Sequence, residues 1–438
     1  MCASYFFYGF WKVEFAALMA FTSIIDWQCG LRAAPGQKYR GFWLWFSIVS
    51  NVAMLFMFKY FDFAMGETEL ARKLYASNLT AWIIELGKYT IPAGISFYTF
   101  QSISYVVDVY RGQEKPESNL FRFMLFVSFF PQLVAGPIER FGKLHSQLFS
   151  AYKPLWVDVQ AGLRLLLYGL FLKVCVADNL AHVVDQYYGQ PAAFGVGAAY
   201  TAVVAFAFQV YTDFFGYSLL AQGSALLFGI HLMDNFNKPF IAKSIPEFWH
   251  RWHISLSTWF RDYIFVPVGG NRRGPVVLAF AVLLVFFTSG LWHGANTTMI
   301  VFGLSQGFLY LFDRFLFNRI PLSGKAWDVF RTIKTVAFFT ITLVWFRSVN
   351  MPQSSEVFRH LAGELTSTVN QVNLDIPIQI PAFLFVFIVL DIFVMKQRAD
   401  KWFESMAMPL RRLIYLFMIL SLFMLGGAVN HPFVYFQF

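Results

Sequence analysis

The sequence predicts an all-α polytopic membrane protein, and three features of the chain point to that class. Hydrophobic residues make up 58% of the 438 positions, whereas Asp, Glu, Lys and Arg together make up only 13%. Average globular domains have about 25% charged residues, so this chain has roughly half the charge of a typical soluble protein. Uncharged apolar runs long enough to cross a bilayer recur from one end of the chain to the other.

These runs predict roughly ten to twelve transmembrane or re-entrant helices in a single membrane domain over 1–438. In chain order they fall near 13–29, 41–61, 90–108, 121–136, 162–178, 198–220, 275–292, 295–312, 332–346, 381–395 and 413–429. Gly and Pro interrupt some of them, as in FFPQLVAGPIE (129–139). Such breaks are tolerated at membrane depth where protein or a water-filled cavity satisfies the backbone, so we expect some segments to be re-entrant.

The charge pattern predicts the orientation of the chain. The net charge is +9, and its basic residues cluster between apolar runs, which indicates the positive-inside bias and argues against a nucleic-acid partner. Basic excess occurs at 31–40, at Arg272 with Arg273, and at 396–412, whereas 348–378 is acidic on balance. If the basic loops are cytoplasmic, the segment 275–292 runs outward and brings His293 to the far side or the membrane interior.

The stretch TSGLWHGANTT (288–298) places one titratable side chain, His293, in an apolar environment. No Asp, Glu, Lys or Arg occurs from Pro275 to Phe312. A histidine can exchange a proton near neutral pH, and an ionisable residue inside a membrane segment suggests function. The alternative is a histidine that hydrogen-bonds between helices. Gly290 and Gly294 flank it and are predicted to let another backbone or a substrate approach closely.

A second polar cluster lies in IPEFWHRWHISLSTWFRDYIFVPVGGNRRG (245–274). Its apolar residues recur at spacings of three and four, which predicts one helix with an apolar stripe. His250 and His253 are three apart, so we expect their rings on neighbouring positions of that helix. The alternative is an interfacial amphipathic helix with Trp in the headgroups and Arg on phosphate.

A buried histidine can act as the general base that deprotonates a hydroxyl attacking a thioester or ester carbonyl. A second histidine, or an Arg or Asn nearby, can orient the donor or stabilise the oxyanion. Zinc is the competing idea, because His250, His253 and His293 offer three nitrogens. No carboxylate or cysteine is placed to complete such a site, and the three cysteines show no CxxC pair, so we expect no metal.

Two functions of other classes compete with an enzyme. A proton-coupled transporter would use the histidines as a relay and predicts inverted repeats in two halves, which are not visible in the sequence. A scaffold for a secreted enzyme predicts that His293 is dispensable. Three smaller features stay open: Asp213 is a candidate for an ion pair or for facing a tunnel, and Asn235 and Asn237 are expected in a loop or helix cap.

Several motifs occur in a fixed order and together resemble one known family. They are IPAGISFYTFQSISYVVDVYRG (91–112), FVSFFPQLVAGPIERF (126–141), the long stretch from YTDFFGY to GGNRRG (211–274), GLWHGAN (290–296) and PFVYFQF (432–438). The chain resembles the membrane-bound O-acyltransferase (MBOAT) family, in particular the bacterial branch that contains the membrane subunit of alginate O-acetylation. The resemblance implies helices around a central tunnel and a catalytic segment over 245–312.

The resemblance assigns the two histidines by their motifs. His293, in LWHGA, matches the family's signature histidine, which is taken to be catalytic and to lie inside the tunnel. His253, in RWHISLS, matches the second polar position of the family, usually Asn or His, on the same tunnel. The candidate substrate-binding residues around them are Trp249, Arg251, Asp262, Trp292 and Asn296.

The resemblance also implies the substrates and the setting. An acetyl group would pass from a cytoplasmic donor, acetyl-CoA or another acyl thioester, to an exported polysaccharide, alginate-like or another exopolysaccharide, or to peptidoglycan. A periplasmic or membrane-anchored acetyltransferase partner would complete the transfer, and the chain would be a multi-pass protein of the bacterial inner (plasma) membrane with no bound cofactor. D-alanyl transfer to teichoic acid is the alternative, because RWH, FRDY and WHG are shared with that enzyme.

Overall fold

The computed structural model describes residues 1–438 except 11, 61–91, 93, 135, 151–153, 365–371, 395–397, 426–430, 432 and 435–438. Within the described residues the chain is helical, with one isolated bridge between Phe194 and Val372 as its β-structure. Seven helical stretches in this part are long and apolar enough to cross a membrane, which confirms the all-α membrane prediction. The ends of the segments predicted near 41–61, 381–395 and 413–429, and the start of the one near 90–108, lie outside the described residues.

The chain divides into two compact units, the first formed by residues 1–155 with 225–233 and the second by 156–224 with 234–438. The helices of the first unit are α1 Cys2–Gly9, α2 Val13–Ala33, α3 Arg40–Leu55, α4 Ile95–Arg111, α5 Leu120–Ser128, α6 Phe130–Leu133 and α7 Phe141–Leu148. The helix predicted near 121–136 is broken at Phe129, two residues before Pro131, as the Gly and Pro pattern indicated.

The second unit contains the longest apolar helices and both histidine motifs. Its helices are α8 Trp156–Leu170, α9 Asp178–Gly189, α10 Val196–Leu226, α11 Ile245–Arg251, α12 Ile254–Phe260, α13 Val266–Val268, α14 Pro275–His293, α15 Thr297–Phe315, α16 Lys325–Arg347, α17 Met351–Leu361, α18 Gln379–Ile388, α19 Ala399–Ser405 and α20 Met408–Leu425. A π-helical segment, Phe171–Ala177, joins α8 to α9, and another, Arg261–Phe265, continues α12.

Helix α14 shows how the sequence sets these elements. It begins at Pro275, where proline's fixed φ suits the first turn and its missing N–H removes no helical bond. The side chains of Val276 and Phe280 are exposed on the outer side, as expected of a helix that contacts lipid. Ser289 and Gly290 are buried on the inner side, so small residues mark the face that packs against protein.

Helices α14 and α15 cross at two glycines. A Cβ built on Gly290 would lie 2.4 Å from the Met299 carbonyl oxygen, and one on Gly303 would lie 2.2 Å from the Phe286 carbonyl oxygen. The close approach of a second backbone that the sequence predicted at Gly290 is therefore confirmed. Because the backbones are in contact, this crossing fixes the position of the last turn of α14, which ends at His293.

Gly290→Ala is expected to destabilise the protein by about 1–3 kcal/mol, because the added methyl group forces the two backbones apart. The measurement is the melting temperature of the detergent-solubilised protein by size-exclusion chromatography after heating. Gly197→Ala is the matched control, since a Cβ on Gly197, near the start of α10, meets no atom within 4 Å. Equal melting temperatures for the two variants would contradict the crossing.

A buried ion network joins α10 to the segment that links α8 and α9. The Lys173 ammonium lies 2.7 Å from Asp178 Oδ1 and 2.8 Å from Asp213 Oδ1. The same ammonium donates to the His431 carbonyl at 3.1 Å, and Asp213 Oδ2 accepts the Val434 N–H at 2.7 Å. Asp213 is therefore in a structural ion pair, one of the two roles the sequence left open. The network thus also binds the backbone of His431 and Val434, two described residues after α20.

Candidate active site

His293 is the last residue of α14, and aromatic rings from three helices surround it. Its ring centroid lies 4.9 Å from that of Trp292, 5.2 Å from Phe346 of α16 and 6.2 Å from Phe302 of α15. All three rings meet the imidazole close to edge-on. The side chain is 6% exposed, so the histidine predicted in the apolar run is buried among aromatic side chains.

His253 does not lie on a continuous helix with His250, and the sequence prediction was wrong on this point. Helix α11 ends at Arg251, and α12 begins at Ile254. His253 lies between them with φ 42° and ψ 55°, a left-handed conformation that breaks the helix. His250 is exposed whereas His253 is buried, so the two rings are not neighbours on one helix face.

The break brings His253 to the same aromatic cluster as His293. Its ring centroid lies 5.7 Å from that of Trp292 and 4.5 Å from that of Phe214, which meets it edge-on. Trp292 thus contacts both imidazoles. Burial lowers the pKa of His253 well below its usual range, and the nearby His293 adds to the shift. His253 is accordingly neutral near pH 7, when an imidazole can both donate and accept a hydrogen bond.

Two of the five predicted substrate-binding residues lie near this cluster or the cavity beside it. Trp292 contacts both histidines. The Trp249 ring packs edge-on against Phe286, with 5.2 Å between the ring centroids. Its indole N–H donates to Gln306 Oε1 at 3.2 Å. This hydrogen bond satisfies the partly buried indole N–H and fixes the ring of Trp249.

The other three predicted residues make local structural contacts. Arg251 donates from Nε and Nη2 to Glu247 Oε1, one turn earlier on α11. Asp262 pairs with its neighbour Arg261 at 2.8 Å. Asn296 caps α15, because its side-chain oxygen accepts the Met299 N–H at 2.8 Å.

A mainly apolar cavity of about 260 Å³ lies between the 245–265 region and helices α14 and α15. Ser289, one turn before His293, and Ile254, which follows His253, contribute to its wall. Two arginines, Arg261 and Arg314, also line it. The remaining lining residues are Pro246, Trp249, His250, Leu256, Ser257, Thr258, Phe260, Phe265, Asn271, Val282, Val285, Phe286 and Tyr310.

Several side chains of the cluster were not predicted from the sequence. Phe214, Phe302 and Phe346 contact the histidines but are three of 55 phenylalanines, and nothing in the local sequence distinguishes them. Lys173 was also missed, although a lysine inside an apolar run is a signal that could have been matched with Asp213.

The arrangement suits proton transfer in a water-poor site. Both buried imidazoles contact Trp292, and they can take different roles: one removes a proton from a hydroxyl, and the other donates a hydrogen bond to a developing oxyanion. Aromatic walls of this kind favour a water-poor site, in which charges and hydrogen bonds interact more strongly than in water.

Comparison with known proteins agrees with this chemistry. The model of the membrane-bound O-acyltransferase (MBOAT) family matches residues 117–355, which include both histidines. The chain belongs to the MBOAT family. It is therefore an acyltransferase and an integral membrane protein, and the resemblance seen in the motifs is confirmed.

Relatives within the family extend the match to most of the chain. The chain is 37% identical to the probable alginate O-acetylase of Pseudomonas syringae pv. tomato, over 83% of this chain and 68% of that protein. It is 33% identical to the probable alginate O-acetylase of Pseudomonas putida, over 100% and 93%. It is 31% identical to the peptidoglycan O-acetyltransferase of Helicobacter pylori, over 85% and 76%.

Proposed function

We propose that this MBOAT protein moves an acetyl group from a cytoplasmic acyl thioester across the bacterial inner membrane toward an exported polysaccharide. The observation that supports it is the pair of buried imidazoles that both contact Trp292. Catalysis requires a base for the acceptor hydroxyl and a donor for the oxyanion, and two neighbouring histidines can supply both.

In the proposed reaction His293 takes the proton from the acceptor hydroxyl as its oxygen attacks the thioester carbonyl. His253 donates a hydrogen bond to the carbonyl oxygen as negative charge develops there. The C–S bond then breaks, an ester forms, and the thiolate takes the proton from His293. The donor leaves as a thiol, so the reaction needs no bound cofactor.

The cavity between the 245–265 region and α14 and α15 is our candidate for the donor site. Its apolar walls suit an extended arm that ends in a thioester. Two of its lining residues are close to the histidines in sequence: Ile254 follows His253, and Ser289 lies one turn before His293. Arg314 lines the same cavity and donates to Asn271 Oδ1 at 3.2 Å. A guanidinium there suits a phosphate at the other end of the donor, as in CoA or a phosphopantetheine arm.

The acceptor side is proposed to work with a periplasmic or membrane-anchored acetyltransferase partner. The residues after α16 expose apolar side chains, Val349 at 66%, Val372 at 56% and Ile378 at 92%, in the loop whose charge is acidic on balance. That loop lies on the side opposite the basic loops if the orientation predicted from the sequence holds. Alginate-like polysaccharide is the favoured acceptor because relatives so named match most of the chain.

The test uses the purified full chain in liposomes, alone or together with a membrane extract of the source bacterium that supplies the proposed partner. The substrates are radiolabelled acetyl-CoA, acetyl carrier protein or D-alanyl carrier protein, and a short uronic-acid oligosaccharide as acceptor. We expect release of thiol and a labelled ester from an acetyl thioester. Arg314→Gln is expected to raise the KM for that donor about tenfold, whereas Arg319→Gln, an exposed arginine shortly after α15, should leave it unchanged. Release from the D-alanyl carrier alone would indicate the teichoic-acid activity, and release from none would contradict the proposal.

A further inference from the structure

Helix α12 begins at an unusual residue, because its N-cap is His253. The first amides of a helix have no acceptor within the helix, and an N-cap residue normally satisfies one of them with its own side chain. His253 makes no such capping bond with its imidazole. The amides at the start of α12 therefore need acceptors from elsewhere in the chain.

Asn235, in the loop after α10, provides these acceptors. Its backbone carbonyl accepts the Ile254 N–H at 2.9 Å. Its side-chain Oδ1 accepts the Ser255 N–H at 3.3 Å, so one residue caps the two amides that follow His253. Because a backbone amide only donates, this bond also fixes the orientation of the Asn235 side-chain amide, with Oδ1 toward Ser255.

The nitrogen of the Asn235 side-chain amide is bound by α10. Asn235 Nδ2 donates to Ser218 Oγ at 3.1 Å, and the side chains of both residues are almost fully buried. Ser218 lies one turn after Phe214, whose ring contacts the His253 imidazole. Asn235 thus forms hydrogen bonds both to α10, whose Phe214 packs on the His253 imidazole, and to the backbone that directly follows His253.

A second pair of hydrogen bonds holds the chain on the N-terminal side of His253. The Asn237 N–H donates to the Arg251 carbonyl at 2.9 Å, and Arg251 Nη1 donates to the Asn237 carbonyl at 3.0 Å. The chain is therefore held on both sides of His253, whose φ of 42° is a conformation that residues other than glycine rarely adopt. Such a conformation persists when the surrounding structure over-determines it.

From this geometry we infer that Asn235 is a positioning residue for His253: it caps α12 in place of the histidine, so that the left-handed backbone aims the imidazole at Trp292. The inference rests on the proposed function, in which His253 stabilises the oxyanion. Asn235 does not line the donor cavity, but Ile254, whose N–H it caps, does, so we expect the larger effect in kcat and a smaller one in the KM for the donor.

The experiment compares Asn235→Ala, Asn235→Asp and Asn237→Ala in the liposome assay, each alone and combined with His253→Ala. Asn235→Ala is expected to lower kcat on the order of 10- to 100-fold, since a misplaced catalytic group costs that much. Asn235→Asp should recover much of the rate, because a carboxylate oxygen accepts the Ser255 N–H and the Ser218 hydroxyl can turn to donate to it. Asn237→Ala is the matched control, because Asn237 contributes its backbone while its side chain is exposed.

In the His253→Ala background, Asn235→Ala should cause no further loss. An equal loss in both backgrounds, or a normal rate for Asn235→Ala, would overturn the inference. If His253→Ala alone has no measurable rate, the pH–rate profile decides. A moved imidazole changes the shape of the profile, whereas a smaller folded fraction lowers the rate by the same factor at every pH.

His293→Ala separates this inference from the proposed function. If His293→Ala still transfers acetyl at the normal rate, the proposed catalytic assignment fails whatever Asn235 does. If His293→Ala is inactive and Asn235→Ala is normal, the proposed function stands and only the positioning role is lost.

Discussion

His293→Ala is expected to abolish acetyl transfer, with a loss of at least about 100-fold, while the protein still accumulates in the membrane. General base catalysis contributes roughly 10²- to 10⁴-fold, and the imidazole is the group that we assign to deprotonate the acceptor hydroxyl. The measurement is ester-linked acetyl on the exported polysaccharide of cells that express wild-type or variant protein at matched levels.

His231→Ala is the matched control for that measurement. His231 is an exposed histidine in the first unit, where its backbone N–H and carbonyl bond to the Gln147 side chain. The His231→Ala variant should leave the acetyl content of the exported polysaccharide unchanged. Normal acetylation in the His293→Ala strain would instead indicate that His293 packs between helices, and the scaffold alternative would then gain support.

Lys173→Met is expected to produce the largest loss of stability. The lysine contacts two buried carboxylates, Asp178 and Asp213, and its removal leaves both without their cation. Breaking a buried pair by removal of one partner costs about 3–5 kcal/mol. The bonds to His431 and Val434 depend on the same network, so these two residues should also be held less firmly.

The measurement for Lys173→Met is the melting temperature in detergent, with limited proteolysis of the C-terminal segment as a second readout. Lys325→Met is the control, because Lys325 is exposed at the start of α16. Adding Asp213→Asn to Lys173→Met should recover part of the melting temperature, since it removes one unpaired charge. If Lys173→Met melts at the temperature of the control, the network does not stabilise the fold.

The sequence predicted those features that depend on local composition. Long uncharged runs predicted the membrane helices. Gly290 predicted the close approach of a second backbone, because a residue with a Cβ would leave no room for one. Asp213 was recognised as an ion-pair candidate, but its partner Lys173 lies in another apolar run, and no local pattern connects the two.

The break at His253 could not be predicted from periodicity. Trp249, Trp252 and Leu256 keep spacings of three and four across it, and Trp252 and Leu256 are both buried, so the apolar stripe continues although the helix does not. The break depends on hydrogen bonds to Asn235, eighteen residues before His253. Capping by so distant a residue does not change the spacing of the apolar residues. The aromatic walls depend in the same way on tertiary packing, which selects Phe214 and Phe346 from many equivalent rings.

The left-handed backbone at His253 also limits which amino acids can evolve at this position. A φ of 42° excludes β-branched side chains and disfavours most others, while asparagine, aspartate, histidine and glycine tolerate it. Of these, asparagine and histidine combine that tolerance with a neutral side chain that can donate a hydrogen bond. The backbone thus confines this position to glycine and a few polar residues, and the need for a neutral hydrogen-bond donor narrows that set to asparagine and histidine.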